Sequence, residues 1–176
     1  MKWVKQSIHY WCPDTKEHKF LGQNVTVAIL DTGISPHPDF KDRILSFRDF
    51  SSTTGSSEKV LFSFSHFSPL IDNSGHGTHV AGILAGSGLL SSGTYAGIPP
   101  FCNLIIGKVL DQNGNGSIKN VINGIQWIRD IYTQFHIRII NISVGTRPDL
   151  SIHQKLLLLN AVESLWDLGL VVVVSA

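Results

Sequence analysis

The sequence predicts an α/β domain with a doubly wound, mainly parallel sheet and helices on both faces. Four short apolar runs are near-continuous rather than alternating, which is typical of parallel strands that are covered on both faces. Segments of helical length separate these runs, and such an alternation favours right-handed crossover units. At 176 residues the chain is long enough for one domain with a sizeable core.

The apolar runs set the predicted strands, and apolar residues spaced three and four apart set the helices. Strands are predicted over 25–30, 103–109, 137–143 and 170–174. The last of them, in "GLVVVVSA", is predicted to be buried on both faces. Helices are predicted over 117–133, over 151–168 and from His76 onward.

Two polar stretches interrupt this order. Residues 1–24 are mixed in composition and are predicted to wrap the surface. Residues 46–74 are rich in Ser and Phe and are predicted to form a long loop or a short hairpin.

Net charge, apolar runs and cysteine content indicate which partners and which cellular location to expect. The formal net charge is +1, and no concentrated basic surface is visible, so we expect no nucleic-acid partner. No run approaches the roughly 20 apolar residues that span a bilayer, so no membrane segment is expected. Cys12 and Cys102 do not make a disulfide framework, and no signal peptide is visible. These features favour the cytoplasm over secretion.

Two polar residues occupy positions suited to chemistry. Asp31 directly follows the run "VAIL", and the carboxyl ends of parallel strands are where functional groups collect. By itself this acid could cap a helix, bind a ribose hydroxyl, hold a metal or orient a histidine. His76 lies between two glycines at a predicted helix start, an open setting that suits a general base. A metal site of Asp31, His76 and His79 is the weaker alternative, because the spacing is not H-E-x-x-H. His79 is predicted instead to be a partly buried structural residue.

The segments "VAILDTG" and "HGTHVAG", in that order, resemble the Asp and His motifs of the subtilisin-like serine proteases, the subtilase family. The later segments "INGIQWI", "IINISVG" and "GLVVVVSA" are similar to the family's helices and strands. The resemblance implies that Asp31 orients His76, which activates a serine for the hydrolysis of a polypeptide substrate. It divides the chain into an N-terminal extension, residues 1–21, and an incomplete peptidase domain, residues 22–176.

The resemblance also implies which residues lie along the substrate backbone: Gly114, Asn115, Gly116, Ser143, Val144 and Gly145. No cofactor is expected. Asp39 is the only residue that matches a position of the family's structural calcium site, and the stretch between Gly86 and Gly97 has no Asn or Asp to complete it.

The family's nucleophile motif, G-T-S-x-A, and its oxyanion motif, A-G-N, do not occur in the sequence. Ala176 is where the oxyanion segment would begin, and Ser175 has no glycine turn behind it that would expose its hydroxyl. We therefore expect the chain as given to carry the acid and base of a triad and to be inactive alone. The alternative is a non-catalytic fragment that binds extended peptides.

Overall fold

In the computed structural model of the chain, the described residues are 2–8, 10, 21–51, 60–61, 71–145 and 150–175. Six strands and four α-helices are present among them. The strands are β1 (Thr26–Asp31), β2 (Ile44–Asp49), β3 (Val60–Leu61), β4 (Asn103–Lys108), β5 (Ile137–Ile142) and β6 (Val171–Val174). The helices are α1 (Lys2–Ser7), α2 (His76–Ala85), α3 (Ile118–Ile131) and α4 (Ile152–Trp166).

The strands form one sheet in the order β3-β2-β4-β1-β5-β6. Five of them run parallel, and β3 pairs antiparallel with β2. Strand β1 lies between β4 and β5 and is buried along its whole length. The predicted α/β fold with a mainly parallel sheet is therefore confirmed.

Helices cover both faces of the sheet, and alternate residues of each strand separate the two sides. On one face Val27 and Ile29 of β1 pack in a cluster with Ala81 and Ala85 of α2. On the other face Ala28 and Leu30 of β1 pack with residues of α3 and α4. By the same alternation Asp31, two residues after Ile29, belongs to the α2 face.

Strand β2 was not predicted. Its sequence, ILSFRD, carries no continuous apolar run, yet the strand pairs in parallel with β4 and antiparallel with β3. The hairpin prediction for residues 46–74 is confirmed only for the β2–β3 pairing, because residues 52–59 and 62–70 lie outside the described residues. Helix α1 likewise falls in the stretch that was predicted only to wrap the surface.

The prediction that the final strand is buried on both faces is wrong. Val171 and Val174 are each 56% exposed, and Val173 is 47% exposed. Strand β6 ends the sheet, and only Val172 packs partly against the core on the α3–α4 side.

Helix α4 is also only half covered. Leu165 is fully buried in the core, whereas five large apolar side chains of the helix are exposed: Ile152, Leu156, Leu157, Leu159 and Trp166. The N-terminus of α4 is stabilised by a capping box that Ser151 and Gln154 form. Among the described residues, no helix combines the length and the apolar character needed to span a bilayer.

Leucines of α4 provide a matched test of this packing. We expect Leu165→Ala to lower the free energy of unfolding by about 2–5 kcal/mol, because it leaves a cavity in the core. Leu156→Ala, in the same helix but exposed, is expected to change it by less than about 0.5 kcal/mol. Urea denaturation of both variants measures the difference, and equal losses would contradict the position of α4.

Candidate active site

Asp31 is the last residue of β1, and its side chain is fully buried. His76 is the first residue of α2, and its imidazole Nδ1 lies 2.8 Å from Asp31 Oδ1. The histidine side chain is 55% exposed, while that of the aspartate is 0% exposed. Because a carboxylate can only accept, Nδ1 is the donor in this contact, and in a neutral imidazole Nε2 is then the nitrogen that can accept a proton.

The Asp31 carboxylate has a second hydrogen bond on the same oxygen. Its Oδ1 accepts the Thr32 amide at 2.6 Å, while Oδ2 is buried and has no partner among the described residues. Lys108 pairs with Asp31 across the β1–β4 register and is buried on the same face. Its Nζ donates to the carbonyls of Thr32 and Leu110 at 2.6 and 2.8 Å, which links the ends of the two strands.

Two glycines allow the backbone of α2 to approach the end of β1. A Cβ at Gly77 would lie 2.2 Å from the Gly33 carbonyl oxygen and 3.2 Å from Asp31 Oδ1. Gly33 itself has φ +117°, and a Cβ there would lie 2.0 Å from the Ile71 carbonyl oxygen. A larger residue at Gly77 would push α2 away from the end of β1, and one at Gly33 would collide with the backbone of the segment before α2.

The start of α2 has no N-cap side chain of its own, since the N-cap residue is Gly75 with φ 84°. The free amide of Gly77 donates instead to the Thr32 hydroxyl at 2.9 Å, and that of Thr78 donates to Asp72 Oδ2 at 2.8 Å. Sequence reasoning did not predict these contacts of Thr32 and Asp72. Neither residue belongs to a periodic pattern that would have indicated the contact.

Five of the six residues predicted to contact substrate border one cavity of about 450 Å³. They are Gly114, Asn115, Gly116, Val144 and Gly145. Apolar residues of α3, of α4 and of the segments after β4 and before α4 also line it, namely Leu110, Ile118, Val121, Leu150 and Leu158, together with polar Ser117 and Gln154. We call this cavity the cleft. The sixth residue, Ser143, lies beside it, with its hydroxyl 2.7 Å from the Asn141 amide nitrogen.

The Asp39 carboxylate is occupied by backbone amides. Oδ2 accepts the Gly88 amide at 3.0 Å, and Oδ1 accepts the Leu90 amide at 3.2 Å. The stretch that would have to supply calcium ligands thus presents N–H donors to this carboxylate, and such donors cannot bind a cation. In this structure both oxygens of the Asp39 carboxylate accept backbone amides.

His79 and Cys102, two of the other candidate residues, are not part of the contact between Asp31 and His76. The prediction that His79 is partly buried is wrong, since it is exposed and borders another cavity with His37. No group of three or more His, Cys, Asp or Glu residues in the described part of the chain could hold a metal ion. Cys102 is buried, and burial raises the pKa of its thiol to about 11, while Cys12 lies outside the described residues.

The sequence matches the family model described as Peptidase S8, Subtilase family, over residues 22–176. The chain is 41% identical over 160 residues to "Serine protease AprX" of Bacillus subtilis, covering 88% of this chain and 33% of AprX. It is 37% identical over 130 residues to "Major intracellular serine protease" of the same organism, covering 73% of this chain and 36% of that protein. The chain therefore spans about a third of the length of these relatives.

Two solved structures are also similar to the chain in fold. The CspB protease of Clostridium perfringens matches with a TM-score of 0.74 at 26% identity, over 92% of this chain and 37% of that one. Sphericase matches with a TM-score of 0.70 at 27% identity, over 87% of this chain and 46% of that one.

The close approach of α2 to β1 can be tested with two alanine substitutions in one helix. Gly77→Ala is expected to lower the free energy of unfolding by about 1–3 kcal/mol, because its Cβ collides with backbone. Gly82→Ala meets no atom within 4 Å and is expected to raise it by about 0.4–1 kcal/mol. Urea denaturation compares them, and a neutral Gly77→Ala would contradict the contact.

The amide contacts of Asp39 predict that stability does not depend on calcium. The midpoint of thermal unfolding is expected to be the same with calcium and with a chelator, because a ligand that does not bind the folded state cannot stabilise it. Asp39→Ala should lower the free energy of unfolding by about 1–3 kcal/mol, since the amides of Gly88 and Leu90 lose their acceptor. A midpoint that rises with added calcium in the unaltered chain, but not in Asp39→Ala, would contradict this account.

Proposed function

The chain belongs to the subtilase family of serine proteases, and we propose that it carries the acid and base of an Asp-His-Ser endopeptidase triad. Asp31 is the orienting acid and His76 the general base. The observation that supports these roles best is the 2.8 Å contact between a fully buried carboxylate and an imidazole whose other edge faces solvent. That arrangement holds one tautomer and leaves Nε2 able to take a proton.

In the proposed reaction, Nε2 of His76 takes the proton of a serine hydroxyl as the serine oxygen bonds to the carbonyl carbon of the substrate. The same nitrogen then gives that proton to the amine as the carbon–nitrogen bond breaks. Asp31 stabilises the imidazolium that exists between the two steps.

The serine is not supplied by the described residues. Neither the G-T-S-x-A segment nor the A-G-N segment occurs in the 176 residues, and no described hydroxyl or thiol is hydrogen-bonded to His76. We propose that residues 1–176 alone do not hydrolyse peptides, and that the nucleophile and the oxyanion donors must come from elsewhere.

The cleft supports a polypeptide substrate. Glycines line its two sides, so an extended peptide can approach the backbone closely and form main-chain hydrogen bonds. Its apolar lining suits an apolar side chain of that peptide. Because the cleft is formed within this chain, a peptide-binding role without catalysis is the second candidate. The division at residue 22 and the cytoplasmic location stay predictions.

Affinity labelling tests both the base and the cleft without needing the serine. The probe is a tetrapeptide chloromethyl ketone with apolar side chains, in which Nε2 of a histidine displaces chloride. Among the eight histidines, we expect His76 to be labelled first, as read by peptide mass spectrometry. An extended peptide without the reactive group should slow this labelling, whereas exposed His153 should react at an unchanged rate.

Gly145→Val tests whether the peptide probe binds in the cleft. No atom lies within 4 Å of the position of its Cβ, so the fold should persist while the side chain narrows the cleft. We expect the labelling of His76 to slow several-fold and the urea midpoint to stay the same. Equal labelling of all histidines would contradict the proposed substrate site. Casein hydrolysis by residues 1–176 that is lost in His76→Gln would show that a nucleophile is present after all.

A further inference from the structure

Asp72 is the most heavily hydrogen-bonded carboxylate among the described residues. Its Oδ1 accepts the Thr32 hydroxyl at 2.9 Å and the amides of Ser74 and Gly75 at 3.2 and 2.9 Å. Its Oδ2 accepts both the amide and the hydroxyl of Thr78. These donors come from the turn before α2, from α2 itself and from the loop after β1.

The Thr32 hydroxyl connects the two halves of the candidate site. Thr32 directly follows Asp31, and its hydroxyl donates to Asp72 while it accepts the amide of Gly77 at 2.9 Å. Gly77 directly follows His76. The residue that directly follows the acid therefore bonds through its side chain to the helix that begins with the base.

A second link runs through Thr78. Its hydroxyl donates to Asp72 and accepts the amide of Ser35 at 2.9 Å. Ser35 belongs to the same loop after β1 as Thr32. The first turn of α2 is thus attached to that loop at two points, and at each point the threonine hydroxyl also donates to Asp72.

Ala81 and Ala85 pack the later part of α2 against β1, whereas the first turn of α2 is joined to the loop after β1 by hydrogen bonds. Gly77 and Gly33 meet backbone to backbone, so no side chains interlock between them. The N-cap glycine offers no side chain to the free amides of the helix. Although burial raises the pKa of Asp72, the hydrogen bonds from Thr78, Gly75 and Thr32 outweigh it and hold the pKa below its usual value. The charged form, which the helix N-terminus also favours, is the form these donors need.

We propose that Asp72 is a positioning residue, which acts through Thr32 and Thr78 to hold the imidazole of His76 in line with the carboxylate of Asp31. The proposal rests on the proposed function for the importance of that alignment. The alignment itself can be measured without any catalysis.

The experiment reads the tautomer of His76 by NMR in the chain with ¹⁵N-labelled histidine, at about pH 8, above the ordinary pKa of imidazole. The signals of His76 are assigned with His76→Gln. We expect the unaltered chain to show His76 protonated at Nδ1, because Asp31 accepts that proton.

Thr32→Val removes the linking hydroxyl without changing any charge, and Asp72→Asn removes the charged acceptor. Both are expected to lose the Nδ1–H signal of His76, which moves to the Nε2–H tautomer. Thr32→Ser keeps the hydroxyl and should restore the signal. Asp130→Asn is the matched control, because this carboxylate accepts only from Gln126 on α3 among the described residues, and it should change nothing at His76.

The possible results distinguish the positioning role of Asp72 from the proposed function of the Asp31–His76 pair. If Thr32→Val and Asp72→Asn unfold more easily but keep the Nδ1–H tautomer, Asp72 is only a helix cap and the proposal is wrong. If the unaltered chain already shows the Nε2–H tautomer, the Asp31–His76 pair does not form in solution, and both the proposed function and this inference fail. If Thr32→Ser also loses the Nδ1–H signal, the proposal is wrong, because the hydroxyl would then not be what holds this tautomer of His76.

Discussion

The position of β1 between β4 and β5 is the constraint on which the candidate site depends. Parallel pairing on both sides brings the ends of three strands to one edge of the sheet. From β1 comes Asp31, from β4 the loop that contains Gly114, and from β5 the segment 143–145. A shift of β1 by one residue would turn Asp31 to the opposite face, away from α2. The positions of Asp31 and of the cleft therefore both depend on the pairing of β1 with β4 and β5.

Helix α2 meets this edge through glycines and hydrogen bonds rather than through large side chains. Close approach requires that Gly77 have no Cβ. The N-cap is also a glycine, but for a different reason: no atom lies within 4 Å of a Cβ at Gly75, and its φ of 84° is what favours glycine. The amides that this N-cap leaves free are taken up by Thr32 and Asp72. The exposed position of His76 and its fixed distance from Asp31 are thus compatible. The imidazole stays open to solvent while its helix is held from the side.

Helix α4 has two different roles in the chain. Leu165 packs into the core, and Leu158 lines the cleft, so the shape of the cleft depends on where this helix lies. At the same time Leu156 and Trp166 are exposed, as are three valines of the neighbouring strand β6. The core of this chain is large enough to position α4 but not to cover it.

The sequence by itself determined the central strands, helices α2 to α4, and the two residues Asp31 and His76. Strands and helices of this kind bury regular apolar patterns, and a glycine-flanked histidine or an acid at a strand end is a local signal. Only the tertiary structure decided that β2 joins the sheet, that β6 is exposed, and that Thr32 contacts Asp72, 40 residues away. Such features depend on partners distant in the chain, which no local pattern specifies.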